Sequence, residues 1–129
     1  MGYRAASVLI ALGIMGSAMA DEVTTSICEY TKLNDRSSLR QKLEDANLDL
    51  RTTYDDIRCG DKSPLRVAAE SGATDSATFI ISKVGKRAIT AQDHDGMSAL
   101  QWAQKRMDSA DASSKAKIAS VVNLMQSKL

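Results

Sequence analysis

The chain has 129 residues, with 17 basic and 16 acidic side chains and a formal net charge of +1. That balance argues against a nucleic-acid binder, which carries a basic excess on one face. Aromatics make up 4% of the residues and the one histidine is His94, so a site built on several histidines is excluded.

Residues 1–20 read MGYRAASVLIALGIMGSAMA. Arg4 supplies a short positive start, Ala5 to Gly16 an apolar run, and Ala18-Met19-Ala20 the small-x-small pattern of a signal peptidase site. The expectation is a cleaved secretory signal cut after Ala20, leaving a single helical domain over 21–129 that is periplasmic or secreted. The apolar run falls well short of the roughly 20 residues that span a bilayer. Asp21 rather than Cys follows the cut, which rules out lipid attachment at that junction. Residues 21–129 carry 16 basic and 16 acidic groups, so attraction to polyanions or anionic membranes is expected to be weak. No nucleic-acid partner and no membrane insertion after cleavage are expected.

Cys28 and Cys59 are the two cysteines. In an oxidising compartment their pairing is the default. A closed loop of about thirty residues is worth roughly 3–4 kcal/mol in the chain-entropy picture. A redox or metal role is the alternative, but there is no Cys-x-x-Cys and one histidine to join them.

From the N-terminus, Val23, Ile27, Tyr30 and Thr31 recur at helical spacing, which predicts a helix over 22–32. Asn34 and Asp35 suit the N-cap of a second helix over 36–46, with Leu39, Leu43 and Ala46 on one side. Leu48 and Leu50 alternate with Asp49 and Arg51, a short extended stretch. Tyr54 and Ile57 fall on one helical turn ahead of Cys59-Gly60. Ser63 caps the next helix with Pro64 at its first position, and Gly72 ends it. Asp75 is expected to cap a helix carrying Phe79, Ile80, Ile81 and Val84. Residues 86–97 form a loop, Ser98 caps a helix bearing Leu100, Ala103 and Met107, and 108–114 form another loop. Ile118, Val121, Val122 and Met125 mark a last helix over 115–127. The fold class is therefore all-α.

An internal repeat runs through the second half. Ser63-Pro64-Leu65-Arg66-Val67-Ala68-Ala69 aligns with Ser98-Ala99-Leu100-Gln101-Trp102-Ala103-Gln104 at an offset of 35 residues. Together with Gly72 and Asp93-His94-Asp95-Gly96, these segments resemble ankyrin repeats, whose pattern is Gly-x-Thr-Pro-Leu-His-x-Ala-Ala-x-x-Gly with a period of roughly 33. The resemblance covers about residues 36–126 and implies a short stack of about two and a half helix pairs, with the N-terminal helix tied on by the disulfide. Arg66 and Gln101 replace the usual His, whose ring helps fix the turn. A second resemblance covers the N-terminal half. Cys28-x-Tyr30, Asn34-Asp35-Arg36, Leu39, Leu43, Tyr54 and Cys59-Gly60 look like a family of small exported bacterial proteins of unknown function with Asn-x-Arg and Cys-Asn-Gly elements, the Asn of the latter being missing here. It implies a compartment and no activity.

Catalytic and metal motifs fail on spacing. Asp93-His94-Asp95-Gly96 cannot open an EF-hand, because Ala91 and Trp102 stand where acids are needed. There is no Gly-x-Ser-x-Gly elbow for a serine nucleophile, and Asp61-Lys62-Ser63 lacks the glycines of a phosphate loop. Adjacent pairs such as Asp55-Asp56 diverge on the surface. No enzyme, metal or cofactor is expected. In an ankyrin-like stack the short first helices and loop tips line a concave face, which makes Arg66, Glu70, Asp93, His94, Asp95, Gln101, Trp102 and Lys105 the candidate contacts to another protein, with Asp61 at a neighbouring loop tip. Trp102 is read as core or as an interface anchor. The alternative function is an envelope stress protein binding a small molecule or metal.

Overall fold

The computed structural model describes residues 21–129, so the expected signal sequence and the expected cut after Ala20 lie outside the described residues. The described residues are all helix and turn without a strand, apart from an isolated bridge between Cys59 and Lys62. Helix α1 covers 21–32, α2 Arg36–Asp45, α3 Leu50–Thr53, α4 Pro64–Ser71, α5 Thr74–Val84, α6 Arg87–Thr90, α7 Ala99–Ser109 and α8 Ala112–Ser127, with a single 3-10 turn at Tyr54–Asp56. No helix among these residues is long and apolar enough to cross a membrane.

The strongest local signals set the boundaries. Ser63 Oγ accepts from the Arg66 N–H, Pro64 opens α4, and Gly72 closes it at φ 68°. Ser98 and Gln101 form a reciprocal capping box on α7. Such caps contribute about 1 kcal/mol each.

Four expectations need correction. Leu48 to Arg51 is not extended: Asp49 accepts from the Arg51 N–H and starts α3, so the alternation of leucines is the entry to a helical turn. The 86–97 loop contains α6, whose Ala88 and Ile89 are buried. The 108–114 loop shrinks to Ala110-Asp111, because α7 runs to Ser109 and Asp111 caps α8. Asp75 does not cap α5, whose N-cap residue Ala73 has no side-chain acceptor to offer. Instead Asn34, at φ 59°, accepts from the N–H groups of Asp75 and Ser76 through Oδ1 at 2.8 and 3.0 Å. Asp35 alone caps α2. The Asn34-Asp35 pair therefore starts two helices, one of them 41 residues away in sequence.

Packing places two hairpins side by side. Helices α4 and α5 turn about Gly72-Ala73, and α7 and α8 about Ala110-Asp111. The most extensive contacts join α7 to α8 and α4 to α8, and α4 also meets α7 while α5 meets α8. The helices beginning after Ser63 and Ser98 thus pack against each other. Small residues permit the approach: Ala68, Ala69, Ala77 and Ala103 are completely buried. Leu65, Ile80, Ile89, Ile118, Val121 and Met125 fill the core between them. The N-terminal side is added by α2 and α3 resting on α5, with Leu39, Leu43, Leu50 and Tyr54 buried. Cys28 and Cys59 form a disulfide, with Cα atoms 5.6 Å apart, that ties α1 to the 59–62 turn.

Candidate binding groove

Two turns face each other across a groove of about 570 Å³. One is the Cys59–Lys62 turn, contributing Gly60, Asp61 and Lys62; the other contributes Asp93, His94 and Asp95; Arg66 of α4 and Trp102 and Arg106 of α7 lie between them. A smaller cleft of about 330 Å³ adjoins it through Arg58, Arg66, Asp93 and His94.

The first turn is held covalently by Cys59 and by a pair of backbone hydrogen bonds between Cys59 and Lys62, at 2.8 and 3.3 Å. The second is held from outside by arginines. Within it, the Gly96 N–H donates to the Asp93 carbonyl and the Asp93 N–H to the Met97 carbonyl. Arg58 Nη1 then donates to both oxygens of the Asp93 carboxylate at 3.1 and 3.0 Å, while its Nη2 reaches the Asp61 carbonyl at 2.7 Å. Arg58 therefore stitches one turn to the other. Arg66 makes a bidentate pair with Asp95, Nη1 to Oδ2 at 2.7 Å and Nη2 to Oδ1 at 2.8 Å, and Nη2 also donates to the Met97 carbonyl. Paired, parallel N–H···O bonds of this kind are strong and fix orientation.

Electrostatics follow the geometry. The hydrogen bonds from Arg66, then that from the Met97 N–H, hold the Asp95 carboxyl far below the usual carboxylate range. Burial pushes Asp93 up, but the His94 N–H and Arg58 outweigh it, so its carboxyl also lies below the ordinary value. The Arg66 guanidinium is held more firmly protonated, chiefly by Asp95. Burial pushes the Tyr54 hydroxyl up; its oxygen accepts from the Leu65 N–H at the start of α4.

The expected contact residues separate into three groups. Arg66 is not a free contact: it is 4% exposed, because its guanidinium is consumed by the Asp93–Met97 turn and stacks over Trp102 at 5.3 Å from the ring centre. It fixes the Asp93–Met97 turn from α4. Asp93, His94, Asp95 and Trp102 do line the groove, with His94 on the rim at 89% side-chain exposure. Trp102 is half-buried, packed on the core edge and covered by Arg66 and by Arg106 at 5.8 Å. Glu70 lines adjoining clefts instead, Gln101 is spent on its capping box, and Lys105 lies on the exposed helix surface away from the groove. Arg58, Lys62 and Arg106 escaped notice as groove residues. Arg106 had a signal, since it stands four residues after Trp102 and therefore on the same helix face. Arg58 had none, because its partner Asp93 is 35 residues away.

Among the described residues no group of three His, Cys, Asp or Glu side chains is placed to hold a metal ion. The fold and groove define a small, disulfide-tied helical domain with a preformed polar concavity. The chain belongs to the family described as protein of unknown function DUF3718, which matches residues 27–91. That match runs from Ile27 in α1 to Ala91 just after α6 and takes in Asn34-Asp35-Arg36 and Cys59-Gly60. No ankyrin-repeat family supports the resemblance drawn for residues 36–126. No curated protein and no solved structure matches the chain.

Proposed function

We propose that this protein is an exported, non-catalytic binding module whose groove takes a segment of another protein. The observation that carries this reading is the preorganisation of the groove. Both walls are fixed before any ligand arrives, one by the Cys28–Cys59 bridge and the other by the Arg58–Asp93 and Arg66–Asp95 pairs. A wall that is already ordered loses little conformational entropy on association. We extend the proposal to an ankyrin-like kinship, which is supported by the two adjacent helix hairpins and by the turns that wall the groove. Export is supported by residues 1–20 and by the disulfide, which persists in oxidising compartments.

The test is photo-crosslinking in living cells. A photoreactive amino acid at His94, on the groove rim, is expected to capture a discrete protein, and the same group at Asn123, exposed on α8, is not. Cell fractionation and intact mass report export and cleavage after Ala20 in the same sample. Failure of the His94 position to capture any protein above the Asn123 background would remove the binding role.

A further inference from the structure

We infer that the segment taken by the groove is acidic; this rests on the binding role proposed above and names the chemistry of the partner. The argument concerns which cations around the groove are already spent. Arg58 makes three hydrogen bonds to Asp93 and Asp61, and Arg66 makes three to Asp95 and Met97. The charge of each is balanced by the turn it holds; Arg66 Nε has no hydrogen bond but is buried 3.9 Å from Asp93 Oδ2, out of reach of a partner.

Lys62 and Arg106 differ. Lys62 Nζ stands 3.8 Å from Glu70 Oε2 and 3.9 Å from Asp61 Oδ1, and Arg106 Nη2 stands 3.6 Å from the same Glu70 oxygen. At those separations the groups attract without forming hydrogen bonds. Glu70 Oε2 is itself buried without a hydrogen-bond partner, so two cations share one carboxylate that neither grips. An ammonium has three N–H donors and a guanidinium five, and both side chains line the groove, at 30% and 51% exposure. The groove therefore presents a surplus of donors beside an aromatic ring, Trp102. A carboxylate from a partner, set between Lys62 and Arg106, accepts the hydrogen bonds that neither gives to Glu70. The overall balance of 16 acidic and 16 basic groups over 21–129 favours short-range recognition over adsorption to a bulk polyanion.

Trp102 is the sole tryptophan, so its emission reports on the groove directly. The full chain as it accumulates in cells, with its disulfide intact, is titrated with short Gly/Ser peptides carrying several Glu, with matched Gln and Lys versions, and with vesicles containing an anionic phospholipid. The Glu peptide is expected to shift Trp102 emission saturably, and salt to weaken it. Lys62→Gln and Arg106→Gln are each expected to weaken the Glu peptide by about fivefold, and Lys115→Gln on α8 to leave it unchanged. An equal response to the Gln peptide, a preference for the Lys peptide, a response to vesicles that depends on the same two residues, or no response to any of these probes overturns the inference. A partner captured from His94 through a segment without acidic residues overturns it too and leaves the binding role standing, whereas no capture at all removes that role first.

Discussion

The two turns that wall the groove are similar in size and opposite in construction. Cys59–Lys62 is anchored by a covalent bond to α1 and by its own backbone. The Asp93–Gly96 turn has no covalent tie; it is held by guanidinium groups reaching from Arg58 and from Arg66 in α4. A covalent anchor is indifferent to salt and pH but open to reduction. An ionic anchor is the reverse. Because Arg58 bonds to both turns, loosening either wall reaches the other.

The largest break in that contrast is expected at the covalent side. Cys28→Ser with Cys59→Ser should lower the unfolding free energy by about 3–4 kcal/mol, measured by urea denaturation. A loss near zero would mean that the bridge does not constrain the unfolded chain. Arg66→Leu comes next, at about 2 kcal/mol, because it leaves the Asp95 carboxylate without its cation and the Met97 carbonyl without its donor, while Arg58 still holds Asp93. Arg66→Lys is expected to recover part of this, since it keeps the charge but loses the bidentate geometry. An unchanged urea midpoint in Arg66→Leu would show that the turn stands without its ionic anchor.

Smaller effects sharpen the comparison. Asn34→Ala removes a neutral joint and should cost about 1 kcal/mol, with faster amide exchange at Asp75 and Ser76 and none at the start of α2. Exchange increasing instead at Ser38 would return Asn34 to the local role expected of it. The smallest is the pH response. Asp93 and Asp95 have depressed pKa values in the folded chain, so the stability they contribute is present above the ordinary aspartate range. It is lost as pH falls below about 4 and through the folded values. The acid-induced loss should be shallower in Asp95→Asn than in the unaltered protein, and steeper loss in that variant would contradict the sign.

What could be read from the sequence was what nearest neighbours decide. Ser63-Pro64, the Ser98 cap and Gly72 each act within a few residues, and each stands where expected, whereas Gln101, expected as a contact, completes the Ser98 cap. The Cys28–Cys59 pair followed from there being two cysteines. What stayed hidden depends on distant partners. Asn34 looked like a cap for its own helix and serves another 41 positions on. Arg66 looked like a surface contact because it stands on the first helix of an ankyrin-like pair, and its burial becomes intelligible when Asp95 arrives from 29 residues away. Lys105 was the expected contact and Arg106 is the groove residue, one position and about 100° further around the helix.

Gly72 has a consequence for how the hairpins can be altered. A Cβ there would stand 2.8 Å from Lys117 Cβ and 3.1 Å from its Cα, so the end of α4 rests on α8 at nearly backbone range. The pitch between the layers is set at that point by a missing atom rather than by the girth of core side chains. Enlarging the alanines could only wedge the hairpins apart, while shrinking the aliphatics could not draw them closer. Gly72 thus acts as a mechanical stop, and any attempt to graft a further layer onto this chain would have to reproduce it.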